Sequence, residues 1–318
     1  MPLRFRYTLH QLRILQAVAE HGGITRAAEA LHLTQPTVSM QIRQLNEVLG
    51  VALFAPRGRV LRLTAAGEEV LSFARSVVQS AELLDERLAA LEGVERGRLR
   101  MSAASTAEYF IPRLLGAFQH AHAGISAELK VISRAAVVAR LREDADDLYV
   151  MAQPPSEDPV IAEAFMDNPL VVIAPAAHAL AKARRVKLAE LVRHEFVLRE
   201  PGAGTRMLTD AFFAGRGLAL LARLELGSNE AVKQAVIGGL GLAVISLHAL
   251  RDELVHHRRI RVLDVEGMPI PSQWHLVRRA DRAPSRVTRA FESFLAAQAP
   301  QLAAELAQLL ARTARNRR

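Results

Sequence analysis

Between Leu33 and Gly50 the chain reads LTQPTVSMQIRQLNEVLG. Its polar side chains are Gln35, Thr37, Ser39, Gln41, Arg43 and Gln44, and its one acidic group, Glu47, falls near the far end. Side chains of this kind hydrogen-bond to phosphates and base edges without repelling a polyanion. Gln can pair through two bonds with adenine and Arg with guanine, while the Pro36 ring and the Thr37 methyl can touch a thymine methyl. An ordinary solvated helix face would be rich in Glu and Lys instead. The chemistry on offer here is recognition of nucleic acid.

Bond-making chemistry finds less support. The chain has no cysteine, which removes thiol nucleophiles, disulfides and thiolate metal sites. It has no Walker loop and no Gly-x-Ser-x-Gly. The glycine-rich stretch GGLGLA at Gly238–Ala243 precedes a strand, whereas a dinucleotide fingerprint follows one and opens a helix. Of eleven histidines, the pairs His120/His122 and His256/His257 lack the i, i+4 spacing of a helical zinc site and read as solvated or capping groups.

The candidate reading residues need a rigid helix. Val38, Ile42, Leu45 and Leu49 recur at spacings of four, three and four, one face of an α-helix. Thr34 stands at the N-cap position and Pro36 in the first turn, where its missing N–H costs little. Upstream, LHQLRILQAVAEH (9–21) predicts a helix with Leu9, Leu12, Leu15, Val18 and Ala19 inward, ended by Gly22 and Gly23. Thr25 is expected to cap a short second helix, in which Ala27, Ala28 and Ala30 permit close approach. Two helices joined by a short turn make a helix-turn-helix. Downstream, short strands at 53–54 and 60–63 flank a basic turn, a wing with Arg57 and Arg59 at its tip. Thr64 then caps a long helix to about Leu91, whose apolar positions run through Phe73, Leu84 and Leu88 and suit a coiled-coil partner. EGVERG (92–97) is a polar hinge, and strands and helices alternate beyond it in an α/β pattern. The last helix is expected after Pro300, ending in a frayed, solvated basic tail, RTARNRR.

Composition agrees with this division. Residues 1–64 hold eight Arg against three Glu, a net of +5, whereas residues 65–96 hold three Arg against seven acidic residues, a net of −4. A basic head on an acidic helix points to a polyanion at the head. No stretch stays apolar for the ~20 residues of a membrane span, and the start, MPLRFRYTLHQLR, has no apolar block of a signal peptide. The expectation is a cytoplasmic protein that does not enter membranes.

From Thr8 to Leu71 the sequence resembles the N-terminal domain of LysR-type transcriptional regulators over its whole length. The resemblance rests on Ala27-Ala28-x-x-Leu31, on Thr34-Gln35-Pro36-x-Val38-Ser39 and on Leu63-Thr64-x-x-Gly67. It implies a winged helix-turn-helix at 1–64, a dimerising linker helix at 65–92, a hinge at 93–96, and an α/β effector domain at 97–300 like a periplasmic binding protein. Two subdomains, 97–167 with 270–300 and 168–269, would be joined by crossings near Met166–Pro169 and Val265–Pro271, with a basic tail at 301–318. A homodimer or homotetramer on double-stranded promoter DNA, contact with RNA polymerase and a small-molecule effector follow from the same resemblance; no cofactor and no catalysis do. STAEYFIPRLLGAF, LREPGAGTR, LGSNEAVKQAV and GLGLAVISLHAL are similar to the regulators of Calvin-cycle (CbbR-type) operons. That similarity implies an anionic effector such as a sugar phosphate or NADPH.

The DNA-binding candidates are Thr25, Thr34, Gln35, Pro36, Thr37, Ser39, Gln41, Arg43, Arg57, Arg59, Arg62 and Thr64, with Arg4 and Arg6 as further phosphate contacts. For the effector, strand ends that open helices present backbone N–H groups to an anion. Ser102, Ser105 and Thr106 lie at one such junction, Pro201-Gly202-Ala203-Gly204-Thr205-Arg206 at a second, and Gly227-Ser228-Asn229-Glu230 at a third. Arg134, Arg199, Arg206 and Lys233 can add charge, and Gln153 follows the strand that ends near the cleft. The chain departs from the Calvin-cycle pattern at Ala152-Gln153-Pro154-Pro155, where Gly-Arg-Pro-Pro is usual, and at Glu108, where Lys is usual. Each departure removes a positive charge near the expected anion. A carboxylate effector is the alternative, and an exported solute-binding protein or an enzyme the remote one.

Overall fold

The computed structural model describes residues 7–57, 60–91, 96–254 and 259–315. The chain divides into two compact units, 1–95 with 143–145, and 96–142 with 146–318. Among the described residues no helix is long and apolar enough to cross a membrane.

The first unit is helical. Helix α1 (Leu9–His21) starts in a capping box, in which Thr8 accepts from the Gln11 amide and the Gln11 side chain accepts from the Thr8 amide. Gly22, left-handed at φ 65°, ends it. Helix α2 (Ile24–Ala30) and helix α3 (Gln35–Leu49) follow, and Thr34 caps α3 by accepting from the Thr37 amide at 3.3 Å. Strands β1 (Phe54–Arg57) and β2 (Val60–Leu63) pair antiparallel from Phe54↔Leu63 to Arg57↔Val60. Helix α4 (Ala65–Leu91) begins where the Thr64 hydroxyl accepts from the Gly67 amide. Its first half packs on α1, burying Leu71 and Ala74, while Leu84 and Leu88 on its second half are 56% and 52% exposed.

Four local expectations change. Gly23, not Thr25, is the N-cap of α2, and Thr25 is an exposed residue one position inside it. The helix starts earlier, and Ile24 packs against the core. Leu9 is 56% exposed and Ala19 half-buried, their inward places taken by Ile14 and Ala17. Ala30 is exposed, so Ala27 and Ala28 alone make the close approach. Pro56 and Arg57 belong to β1 rather than to the turn.

The second unit has two α/β halves. Strand β3 (Gly97–Ala104) leads through a 3₁₀ turn at Ser105–Tyr109 into α5 (Ile111–Ala121), then β4 (Ile125–Ile132), α6 (Arg134–Arg142), β5 (Leu148–Met151) and β6 (Val160–Asp167). The chain passes to β7 (Leu170–Pro175), α7 (Leu188–Leu191), β8 (Glu195–Arg199), α8 (Gly204–Ala214), β9 (Leu221–Leu226), α9 (Asn229–Ile237), β10 (Ala243–Ser246) and β11 (Ile260–Val262). It returns in β12 (Gln273–Arg279) and ends in α10 (Arg286–Arg315). One sheet has the order β4-β3-β5-β12-β6. In the other half β10-β7-β11 and β8-β9 are joined where Leu242 donates to the Glu195 carbonyl and Val197 to the Leu242 carbonyl. β5, β7 and β10 are buried on both faces, and so read as continuous apolar runs. The two segments between the halves bond to each other, Asn168 N to Ser272 O at 2.7 Å and Leu170 to Ile270 in both directions. β6 and β11 are strands that the sequence reading passed over; β6 is exposed through its middle at Ala162, Glu163 and Ala164, and β11 is three residues long.

The last helix, expected after Pro300, instead starts at Arg286 and runs through that proline; of the RTARNRR end, Arg312 is exposed, Thr313 is buried, and 316–318 lie outside the described residues. Leu302, Leu306 and Leu309 are 4%, 5% and 8% exposed and continue the stripe of Val287, Phe291 and Leu295. A proline inside a helix costs about 3 kcal/mol or more. Burying three leucines returns roughly 5–9 kcal/mol, so the stripe wins. Leu302 joins the core of the β3 sheet and Leu306 and Leu309 that of the β7 sheet. Glu305 between them is bonded by Arg113 at 2.9 Å and Arg251 at 3.1 Å.

Candidate functional site

On the first unit the candidate residues gather on α3 and the wing. Val38, Ile42 and Leu45 are buried, which fixes the opposite faces outward. Gln35, Pro36 and Arg43 are exposed and Ser39 and Gln41 half-buried. Among the described residues, the side chains of Gln35, Ser39, Gln41, Arg43 and Gln44 have no hydrogen-bond partner, so their donors and acceptors are available. The Thr34 and Thr37 hydroxyls bond each other at 2.8 Å. The Asn46 side chain accepts from the Leu53 amide at 3.1 Å, which ties the wing to the C-terminal part of α3. Arg62 is exposed on β2 and Arg57 ends β1. The Thr64 hydroxyl donates to Ala52 O at 2.7 Å while capping α4. Arg4, Arg6 and Arg59, like the 92–95 part of the hinge and His256 and His257, lie outside the described residues.

In the second unit the three junctions converge on Arg199, the last residue of β8, which is 3% exposed. Its Nη1 donates to the Asn229 side chain at 2.8 Å and its Nη2 to the Ser105 hydroxyl at 3.1 Å and to Gly227 O at 3.4 Å. Its Nε and Nη2 also hold the two carboxylate oxygens of Glu200 at 2.7 and 2.8 Å. Asn229, 1% exposed, donates on to Thr106 at 2.9 Å. Beside Arg199 lies a cavity of about 20 Å³. Ser105, Thr106, Arg134, Gly204 and Thr205 line it, as expected, together with Asn168, Ala203, Met151 and Trp274. Arg134 donates Nε to Gln153 O at 2.8 Å, and its burial, with the nearby Arg142, pulls its pKa below the usual arginine value.

Other candidates fall elsewhere. Ser102 is fully buried but does not line the cavity; it donates to Asp146 at 2.6 Å and accepts from Arg140. Successive side chains of a strand point to opposite faces, so Ser102 turns toward α6 while Ala103 joins the main core. Pro201 and Gly202 are exposed and outside the cavity lining, because the chain turns inward only at Ala203. Arg206 does not line the cavity; it pairs with Asp210 one turn on at 2.8 Å and with Glu225 on β9 at 2.7 Å. The Ser228 hydroxyl caps α9 by accepting from the Ala231 amide. Glu230 and Lys233 bind each other at 2.6 Å, and Lys233 also pairs with Glu253. Glu230 accepts from the Tyr109 hydroxyl at 2.7 Å; burial and then this carboxylate push the phenol well above its usual range. Burial alone would raise Glu230, but its bonds to Lys233 and Tyr109 outweigh it and hold the carboxyl low. The His120 ring bonds Gly116 O, and His122 packs at a tilt against Phe118.

Sequence reasoning missed Asn168 and Trp274. Asn168 sits where β6 passes to β7, 2% exposed, and accepts from the Ser246 hydroxyl at 2.6 Å. Trp274, 1% exposed, packs edge-on against Phe110, and among the described residues its indole Nε1 has no hydrogen-bond partner. A buried N–H without an acceptor costs about 1–3 kcal/mol, and such a donor in a cleft wall awaits a ligand or a water. The one signal in the sequence was that this is the chain's only tryptophan.

Comparison with known proteins agrees with this geometry. Residues 9–68 match the bacterial regulatory helix-turn-helix protein, lysR family, and residues 92–300 the LysR substrate binding domain. A RuBisCO operon transcriptional regulator of Allochromatium vinosum is 48% identical over 295 residues, 93% of this chain and 97% of that protein. The regulatory domain of Synechocystis CcmR, solved in complex with 2-PG, covers 65% of this chain and all of its own, at 38% identity and a TM-score of 0.63. Full-length OxyR of Pseudomonas aeruginosa shares the fold over 91% of this chain and 97% of its own, at 22% identity and a TM-score of 0.72.

Proposed function

The chain belongs to the LysR family and is a DNA-binding transcriptional regulator, and from that premise we propose that it controls carbon-fixation genes in the cytoplasm, in response to a small phosphorylated or carboxylated anion. The name of the Allochromatium vinosum relative supports the pathway, and the 2-PG bound by Synechocystis CcmR supports the ligand class. The observation that carries the anion is Arg199, a guanidinium 3% exposed at the meeting point of three strand-to-helix junctions. A full positive charge is retained in such a place where an anion is to be held. Sugar phosphates fit this reading better than NADPH, because the cavity beside Arg199 is only about 20 Å³ and must be enlarged for any organic ligand.

On DNA, Gln35, Ser39, Gln41 and Arg43 read base edges in the major groove, and Arg62 with Arg57 and Arg59 meets phosphates. The working form is a homodimer through α4, assembled into a tetramer that contacts RNA polymerase. Domain limits follow as 1–64, 65–92 and 97–300, with the helix beyond Pro300 joined to the last. Ligand binding alters the cleft, hence the tetramer and the DNA bend. It does so without catalysis. Footprinting of the full chain on a promoter fragment with an interrupted palindrome tests this. Protection should change when phosphoglycolate is added, and a footprint indifferent to every anion that binds would overturn the regulatory link.

A further inference from the structure

Arg199 is already occupied. Its Nε and Nη2 hold both oxygens of Glu200, the next residue in the chain, in the side-by-side geometry by which a guanidinium binds a carboxylate or a phosphate. The partners differ in burial: the Arg199 side chain is 2% exposed and that of Glu200 is 30% exposed. Arg199 is also fixed from the other side by Asn229 and Ser105, whereas its bonds to Arg199 are the only side-chain hydrogen bonds Glu200 makes among the described residues. Glu200 can therefore exchange the guanidinium for water, and Arg199 cannot. The cavity beside Arg199, whose lining does not include Glu200, holds about 20 Å³, enough for roughly one water.

We propose that Glu200 is a tethered competitor of the effector, holding the place of the ligand's anionic group on Arg199 until a free anion displaces it. The inference rests on the reading of this cleft as the effector site. Binding is then an exchange of anions at one fork. An incoming phosphate or carboxylate takes the Nε/Nη2 edge, Glu200 turns to solvent, and the orphaned Trp274 N–H gains an acceptor in the same cleft. A free unpaired Arg199 never forms, which matters because an uncompensated buried charge is costly. Glu200 also sets specificity. A neutral ligand cannot replace a carboxylate there, and a doubly charged phosphate competes better than a single carboxylate.

Isothermal titration of the full chain with phosphoglycolate, and separately with inorganic phosphate, tests this in wild type, Glu200→Gln and Glu200→Ser. Hydrogen bonds to charged groups are worth enough that loss of the competitor should tighten both ligands by at least about tenfold, or ~1.4 kcal/mol. Wild type that binds while both variants bind no tighter overturns the proposal and leaves the effector reading intact. If no form takes either anion, both fall. Should the variants not fold, a crystal structure of the wild-type chain with phosphoglycolate decides: Glu200 is expected off Arg199, and a closed Arg199–Glu200 pair beside the bound ligand would refute the exchange.

Discussion

Leu306→Ala isolates the packed end of α10. Leu306 is 5% exposed in the same apolar cluster as Leu247, Leu250 and Leu254, whereas Leu310, one turn on, is 37% exposed. Replacing a buried leucine by alanine costs about 2–5 kcal/mol, depending on how far the site collapses. Leu306 borders exposed positions on the same helix, so relaxation places the cost near the lower end, about 2–3 kcal/mol. For a unit of this size each kcal/mol moves the midpoint by about 2–4 °C, which predicts a fall of roughly 5–10 °C. The assay is thermal unfolding of the full chain followed by calorimetry, with Leu310→Ala as the exposed control at under about 1 kcal/mol. A Leu306→Ala midpoint within a degree of the Leu310→Ala midpoint would mean that the helix beyond Pro300 is solvated, and the packing argument would be wrong.

Three further outcomes follow from named contacts. Arg62→Ala should weaken binding to all DNA sequences alike and reduce the salt slope by about one, whereas Arg43→Ala should cost about 1–3 kcal/mol and relax preference at one base position, both read by anisotropy across a salt series. Gly67→Ala should unfold or severely destabilise the first unit in circular dichroism, because the added Cβ would lie 2.0 Å from Leu53 O. Burial would raise the Glu305 carboxyl, but Arg113 and then Gln301 and Arg251 outweigh it and hold it below the ordinary 4.5. Its folded value being the lower one, its contribution is present above about pH 4.5 and is lost as pH falls through the depressed value; Glu305→Gln should flatten that part of the acid-unfolding curve.

What the sequence made legible was local. The helix bearing Val38, Ile42 and Leu45, its Thr34 cap and its Gly50 terminus all depend on neighbours within a few residues, so spacing alone reveals them. Ser102 was misplaced because the pleat decides its face, and a junction reading ignores the pleat. Pro300 was taken as a stop because the leucine stripe that overrides it finds its partners more than 40 residues away. Trp274 was invisible as a site residue, since its place in the cavity wall depends on residues far off in the chain, such as Phe110 and Arg199. The Arg199–Glu200 pair stood in the sequence as adjacent letters, yet only the fold shows that one is buried and the other can leave.

The central claim, a LysR-type regulator that answers to a phosphorylated anion, is tested most directly by thermal unfolding of the full chain against phosphoglycolate, ribulose bisphosphate, NADPH and control carboxylates. A ligand at about 100 times its dissociation constant adds about 2.7 kcal/mol to the state that binds it. The account predicts a saturable rise of roughly 5–10 °C in the transition of the second unit with a sugar phosphate or phosphoglycolate. A midpoint unmoved by every phosphorylated compound, with a rise from a control carboxylate instead, would contradict it.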